Sequence, residues 1–345
     1  MTLSIPTSLT CLGCFLMMTA SSLGQIRLDL PTENDAIFSG NPEKFYMYVT
    51  RDFEGKKSTP WEGGQYGYVR TPVRVGGDVV YRRFHEGIDI RPTRRSSSGE
   101  PLDKVHPVAP GRVVHVSDNP RLSNYGRYVV VEHRWDGSDY YSLYAHLGST
   151  EVKVGDRVDH SDVLGQMGYT GRGINRTRAH LHLEVGMLIN GDYDTYFEKI
   201  MPNATNHHGI YNGMNIKALD VSRMLKESKQ GGIQSIPHFI AKEKPFYSVL
   251  IPNRGTPDLV KRYPWLTRGQ RLSGAPSLEI VFTQSSIPIA VQPSERRVSE
   301  PTIGSIRRSS TPYSYLTSRK VGGSGEKPVL SSSGEAFVNQ ITYSK

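Results

Sequence analysis

Two stretches decide the fold of this chain: Ala179-His-Leu-His-Leu-Glu-Val185 and Phe84-His-Glu-Gly-Ile-Asp-Ile90. In the first, Leu181, Leu183 and Val185 alternate with His180, His182 and Glu184, which is the two-residue period of a strand with one apolar and one polar face. In the second, Ile88 and Ile90 alternate with Gly87 and Asp89, and a glycine at that point weakens a helix by up to about 1 kcal/mol. The spacing of four between His85 and Asp89, and of two between His180 and His182, puts each pair on a single sheet face. Both pairs can point into one cleft, and His146 in Tyr144-Ala-His-Leu147 adds a further imidazole. Two imidazoles and a carboxylate are the protein ligands of a hydrolytic zinc site, with the fourth position open to water. In a chain with eleven histidines, either pair alone also fits polar residues on an ordinary surface strand.

Outward from these segments, Val69 to about Ile189 is a series of short Val/Tyr/Ile-rich runs broken by glycine turns, the pattern of an all-β domain. The ordered set of His-x-x-x-Asp, Tyr-Ala-His-Leu and His-Leu-His-x-Glu resembles the zinc metallopeptidases of the lysostaphin/LytM type, peptidase family M23. The text between the motifs is similar too: Pro107-Val-Ala-Pro-Gly-Arg-Val-Val114, Tyr128-Val-Val-Val-Glu-His133, Val154-Gly-Asp-Arg-Val158, Leu164-Gly-Gln-Met-Gly168 and Tyr169-Thr-Gly171. The likeness spans about Tyr66 to Ile189. It departs at Ser161-Asp162, in a turn away from the ligands.

That resemblance implies a mainly antiparallel β catalytic domain, with His85, Asp89 and His182 holding one Zn2+ and His146 and His180 as the catalytic pair. It also implies peptidoglycan peptides as substrate, cut in cross-links or stem peptides. A non-catalytic wall-binding or regulatory protein on the same scaffold is the alternative reading. Glu184 is either a partner that orients His182 or a solvated carboxylate. The basic loop Gly171 to Arg178 either grips substrate carboxylates through Arg172, Arg176 or Arg178 or is solvated. His106, His115, His133, His160, His207, His208 and His238 lack a ligand spacing and are read as packing or surface residues.

Composition sets the remaining bounds. A net charge of +9 and a pI near 9.4 suit anionic surroundings. No arginine–aromatic nucleic-acid motif and no uncharged apolar run long enough to span a membrane occurs. Leu9 to Ala20, followed by Ser22-Leu-Gly24, reads as a signal peptide over residues 1–24, so an exported, periplasmic or extracellular protein is expected. Both cysteines, Cys11 and Cys14, lie within it, which leaves the mature chain without disulfides; lipid attachment at Cys14 is the minor alternative. The expected organisation is an N-terminal extension at 25–64, the peptidase domain at 65–200, a smaller β-rich accessory region at 205–292 and a loosely ordered Ser/Arg/Gly-rich tail at 293–345. Short helices are expected at Asp192–Lys199 and Ile216–Lys229, strands at Pro245–Ile251 and Ser277–Phe282, and a final strand at Phe337–Tyr343. The sequence does not specify an oligomeric state.

Overall fold

The computed structural model describes residues 25–345, so the expected signal peptide and both cysteines lie outside the described residues. After a short hairpin of Arg51–Phe53 with Lys56–Ser58, a longer one is formed by β1 (Gly67–Val75) and β2 (Asp78–His85). Nine strands then build the main sheet: β3 (Ile88–Ile90), β4 (Lys104–Val105), β5 (Gly111–Ser117), β6 (Arg127–Trp135), β7 (Ser138–Thr150), β8 (Arg157–Val158), β9 (Gly165–Met167), β10 (Leu181–Leu188) and β11 (Ile216–Ala218). Six of them run in the order β8-β5-β6-β7-β9-β4, while β10 pairs with β7, β3 and β11, all antiparallel. The all-β reading of the catalytic region therefore holds.

Alternation along the central strands explains the two faces of this sheet. Val129, Val131, Tyr140, Tyr144, Leu181, Leu183 and Val185 enter the main core, while Tyr128, Val130, Tyr141, Leu143 and Ala145 form a smaller cluster on the opposite face. At β10 that second face carries His182 and Glu184, the polar face expected from the sequence. The extension before the hairpin is built into the fold, because Phe45, Tyr46 and Met47 are buried. Their backbone closes on β3, with Met47 N–H donating to Asp89 O at 2.8 Å and Arg91 N–H to Phe45 O at 2.8 Å.

Beyond Asn190 come α1 (Tyr193–Ile200), α2 (Val221–Lys229) and α3 (Ile236–Ala241), then a second, four-stranded antiparallel sheet of β12 (Tyr247–Pro252), β13 (Ser277–Phe282), β14 (Pro288–Ser294) and β15 (Thr302–Ile306), in the order β14-β13-β12-β15. Three local expectations are corrected. Residues 216–218 are strand, since Ile216 and Ala218 bury on one side against β10, and the helix begins only after Asp220 accepts a hydrogen bond from Arg223 N–H at its N-cap. The segment from 293 is ordered in part, because Thr302–Ile306 pairs with β12 along its free edge. Ser332–Thr342 is a helix, α4, capped by Ser331 and burying Phe337, Val338 and Ile341 on one stripe. The apolar residues of Phe337–Tyr343 fit a strand as well as a helix over so short a window, and the cap at Ser331 decides between them. Among the described residues no helix is long and apolar enough to cross a membrane.

Candidate metal centre and flanking histidines

Register brings the candidate ligands together. On the antiparallel pair β10–β3, His182 stands directly opposite Asp89, and on β10–β7 it stands opposite Ala145. His85 ends β2, one tight turn before β3. Gly87 makes that turn possible: a Cβ there would strike Leu183 O and lie 2.9 Å from His182 Cε1. The resulting group of His85, Asp89 and His182 is buried, and one ligand atom from each lies within 4.8 Å of the others.

Hydrogen bonds choose which atom of each ring faces inward. His85 Nδ1–H donates to Gln65 O at 2.7 Å, so Nε2 faces the group. His182 Nε2–H donates to Glu184 Oε1 at 2.9 Å, leaving Nδ1 2.9 Å from Asp89 Oδ1 and 3.2 Å from His85 Nε2. A carboxylate holding the far nitrogen of a ligand imidazole fixes its tautomer and ring plane; of the two readings of Glu184, the supporting one matches the geometry. Tyr125 O–H donates to the same Glu184 oxygen at 2.7 Å. The donor set, two imidazole nitrogens and one carboxylate oxygen, suits a zinc ion.

Electrostatics are dominated by burial and by the carboxylate. Burial pushes the Asp89 carboxyl up, but His85, His180 and Arg70 outweigh it and hold it well below the usual range. Burial pulls His85 down, partly opposed by Asp89. For His182 burial also lowers the pKa, yet hydrogen bonds to Asp89 and Glu184 reverse the sign and carry it up to about 9.

His146 and His180 flank the group. Their ring centroids lie 4.8 Å apart, and His146 lies 5.8 Å from His182. His180 precedes β10 on the face of His182, and its Nε2 is 3.5 Å from Asp89 Oδ1. Each ring donates from Nδ1 to a backbone carbonyl, His146 to Thr170 O at 2.9 Å and His180 to Arg178 O at 2.6 Å, which leaves Nε2 as the free nitrogen. Burial and the neighbouring imidazoles hold His146 well below its ordinary pKa. Strand alternation alone would send His146 to the face opposite Ala145. Instead it is the extra residue of a β-bulge, with Tyr128 pairing to Ala145 and Arg127 to Leu147, and it adopts a left-handed φ of 63°. Bulges beside sites re-aim a side chain in this way.

Sequence reasoning missed Arg70. Its Nη2 donates to Asp89 Oδ2 and lies 3.1 Å from His85 Nε2. The residue sits on β1, outside every His/Asp motif, and only the pairing of β1 with β2, which sets it against Arg83 near His85, delivers it. Of the loop arginines, Arg176 is ion-paired with Glu100 at 2.8 Å and Arg178 donates to Tyr48 O at 3.3 Å.

Comparisons with known proteins find similar sequences over this region. Residues 83–193 match the model of peptidase family M23. The peptidoglycan DD-endopeptidase ShyA of Vibrio cholerae serotype O1 is 30% identical over 133 residues, 37% of this chain and 28% of that protein. The chain thus spans less than a third of that relative's length. Among solved structures, a zinc containing peptidase from Vibrio cholerae is 27% identical over 41% of this chain and 36% of that one, with a TM-score of 0.26. The catalytic domain of the antimicrobial peptidase lysostaphin from Staphylococcus simulans is 23% identical over 48% of this chain and 96% of that one, with a TM-score of 0.28. The stretch that matches the family M23 model, residues 83–193, holds all of His85, Asp89, His146, His180 and His182.

Proposed function

We propose that this chain is an exported zinc-dependent endopeptidase that hydrolyses peptide bonds of peptidoglycan cross-links or stem peptides. The observation that carries the reading is the convergence of His85, Asp89 and His182 on one buried point, with two further histidines beside it that present free Nε2 atoms. The match of residues 83–193 to family M23 and the likeness to a peptidoglycan endopeptidase support the substrate class.

In this mechanism Nε2 of His85, Oδ1 of Asp89 and Nδ1 of His182 would hold a zinc ion. Bound there, zinc supplies Lewis-acid polarisation of a carbonyl and makes a water acidic enough to attack near neutral pH. His146, kept neutral by burial, takes the proton of the attacking water at Nε2 and returns it to the leaving amine. His180, held in place by Arg178 O, steadies the negative charge that develops on the carbonyl oxygen. Glu184 and Tyr125 keep His182 in its ligating orientation.

The test is cleavage of defined muropeptides by the purified protein, with and without a chelator, products being identified by mass. Cleavage that stops with the chelator and returns with zinc is expected; chelator-insensitive cleavage overturns the metal mechanism. His146→Ala and His180→Ala are expected to keep the metal but lose hydrolysis by at least about 100-fold, and His182→Ala to lose the metal. Turnover retained in His146→Ala removes that residue from its role.

A further inference from the structure

A cleft of about 510 Å³ opens between the end of β2, strand β11 and helix α4. Five cations line it: Arg82 and Arg83 from β2, Lys217 from β11, and Arg319 and Lys320 from the turn before α4. Glu86 is the single acidic residue among its lining groups. Among the described residues none of the five cations forms an ion pair, although eleven other arginines and lysines do. Two of them are withdrawn from solvent and rest on aromatic faces, Lys217 Nζ 5.8 Å from the Phe84 ring centroid and Lys320 Nζ 5.2 Å from that of Phe337. Lys320 is further anchored to Ser333 Oγ at 2.9 Å. Burial, with Lys217 and Arg319 nearby, pulls the Lys320 ammonium down to about 8.

Concentrating like charge in a concave, half-dry space is unfavourable, and an anion entering it relieves the repulsion. The backbone is also committed to the arrangement. Ser318 and Arg319 both hold left-handed φ values, 49° and 65°, a conformation that costs a non-glycine residue about 1 kcal/mol or more. The Tyr68 hydroxyl accepts the Ser318 N–H at 2.9 Å and so pins the turn to β1. Arginine forks beside lysine point charges suit the oxygens of a phosphate group.

We propose that this cleft is a binding site for a phosphate-bearing anion, separate from the peptide-cleaving group. Phe84 and Glu86 line it, while His85 between them belongs to the separate His/Asp group. The site does not depend on the chain being a peptidase.

The experiment measures binding of three probes to the purified chain at fixed ionic strength: inorganic pyrophosphate by calorimetry, a soluble poly(glycerol phosphate) by calorimetry, and phosphatidylglycerol vesicles by co-sedimentation, with phosphatidylcholine vesicles as blank. Pyrophosphate and the polymer are expected to bind, and Arg82→Glu and Arg319→Glu, both at exposed positions, are each expected to weaken that binding by roughly tenfold or more. Lys153→Glu, an exposed reversal outside the cleft, is expected to leave it within about twofold. Lys217→Met is read only alongside its melting temperature, since that side chain is half-buried. Failure of pyrophosphate and the polymer to bind, equal weakening by Lys153→Glu, or binding confined to phosphatidylglycerol vesicles overturns the site. Muropeptide cleavage and zinc content, measured on the same variants, report on the peptidase reading independently.

Discussion

Arg70 shows how much a single side chain can matter to a site whose ligands are named elsewhere. Asp89 is 2% exposed, its Oδ1 faces the histidines, and its Oδ2 is held by the Arg70 guanidinium. Replacing that donor with a hydrocarbon leaves one oxygen of a buried carboxylate without a partner, a change that costs about 3 kcal/mol. Arg70→Leu is therefore expected to lower unfolding stability by about that amount in a urea titration, and Arg70→Gln, which retains an N–H donor, by less. Equal stability of Arg70→Leu and the parent chain would show that the contact contributes nothing. At this scale the sequence was legible wherever chemistry and period coincide, as in His85, Asp89, His180 and His182, because alternation on one strand is a local property. Arg70 and Tyr125 were not legible, since their partners lie 19 and 59 residues away and strand pairing alone brings them in.

Elements carry two further consequences, one of strain and one of charge. The bulge in β7 turns His146 toward the His85, Asp89 and His182 group at the cost of a left-handed backbone, where glycine is more comfortable than any L-residue. The usual order of strand stabilities is then expected to invert: His146→Gly should be more stable than His146→Ala by about 1 kcal/mol, both being inactive. If alanine proves the more stable, the strain is not there. A bulge has no sequence period, which is why Tyr144-Ala-His-Leu147 identified the histidine but not the device that aims it. Deeper in the sheet, His133 on β6 bridges Pro110 O and the Ser142 hydroxyl, at 2.9 and 2.7 Å, with no exposed surface. Burial holds its pKa down to about 4, against the hydrogen bond to Pro110 that raises it. The unfolded chain takes up this proton below about 6.5, whereas the folded one does not until about 4. Stability is thus fully present above pH 6.5 and falls as the pH drops through that window, by roughly 3 kcal/mol in all. His133→Gln should flatten the acid limb of a urea-midpoint against pH curve; an unchanged limb assigns the acid sensitivity to other groups.

Across the whole molecule, the sequence suggested a peptidase domain followed by a smaller β-rich accessory region, and one apolar core runs from Val129 and Leu183 in the main sheet into Val249, Leu278 and Ile280 of the second. Composition reports what a segment contains and not what it packs against. Contact with the main sheet is made by single long side chains whose partners are distant in sequence, and no local pattern encodes them. Tyr263 is the clearest case: its buried hydroxyl accepts Leu188 N–H at 2.8 Å and donates to Asp139 O at 2.9 Å, tying the C-terminal half to β10 and β7 together. Beside it Trp265 Nε1–H reaches the Tyr140 hydroxyl at 3.1 Å. A shared core and hydrogen bonds of this kind make the two sheets one cooperative unit, so denaturation should be a single transition by tryptophan fluorescence and far-ultraviolet circular dichroism alike. Tyr263→Phe keeps the ring but strands a buried N–H and a carbonyl, and should lower stability by about 1–3 kcal/mol while leaving the slope of the transition unchanged. Two transitions in the parent chain, or a Tyr263→Phe variant whose two probes part company, would mean that the second sheet folds alone and that Tyr263 does not tie it to β10 and β7.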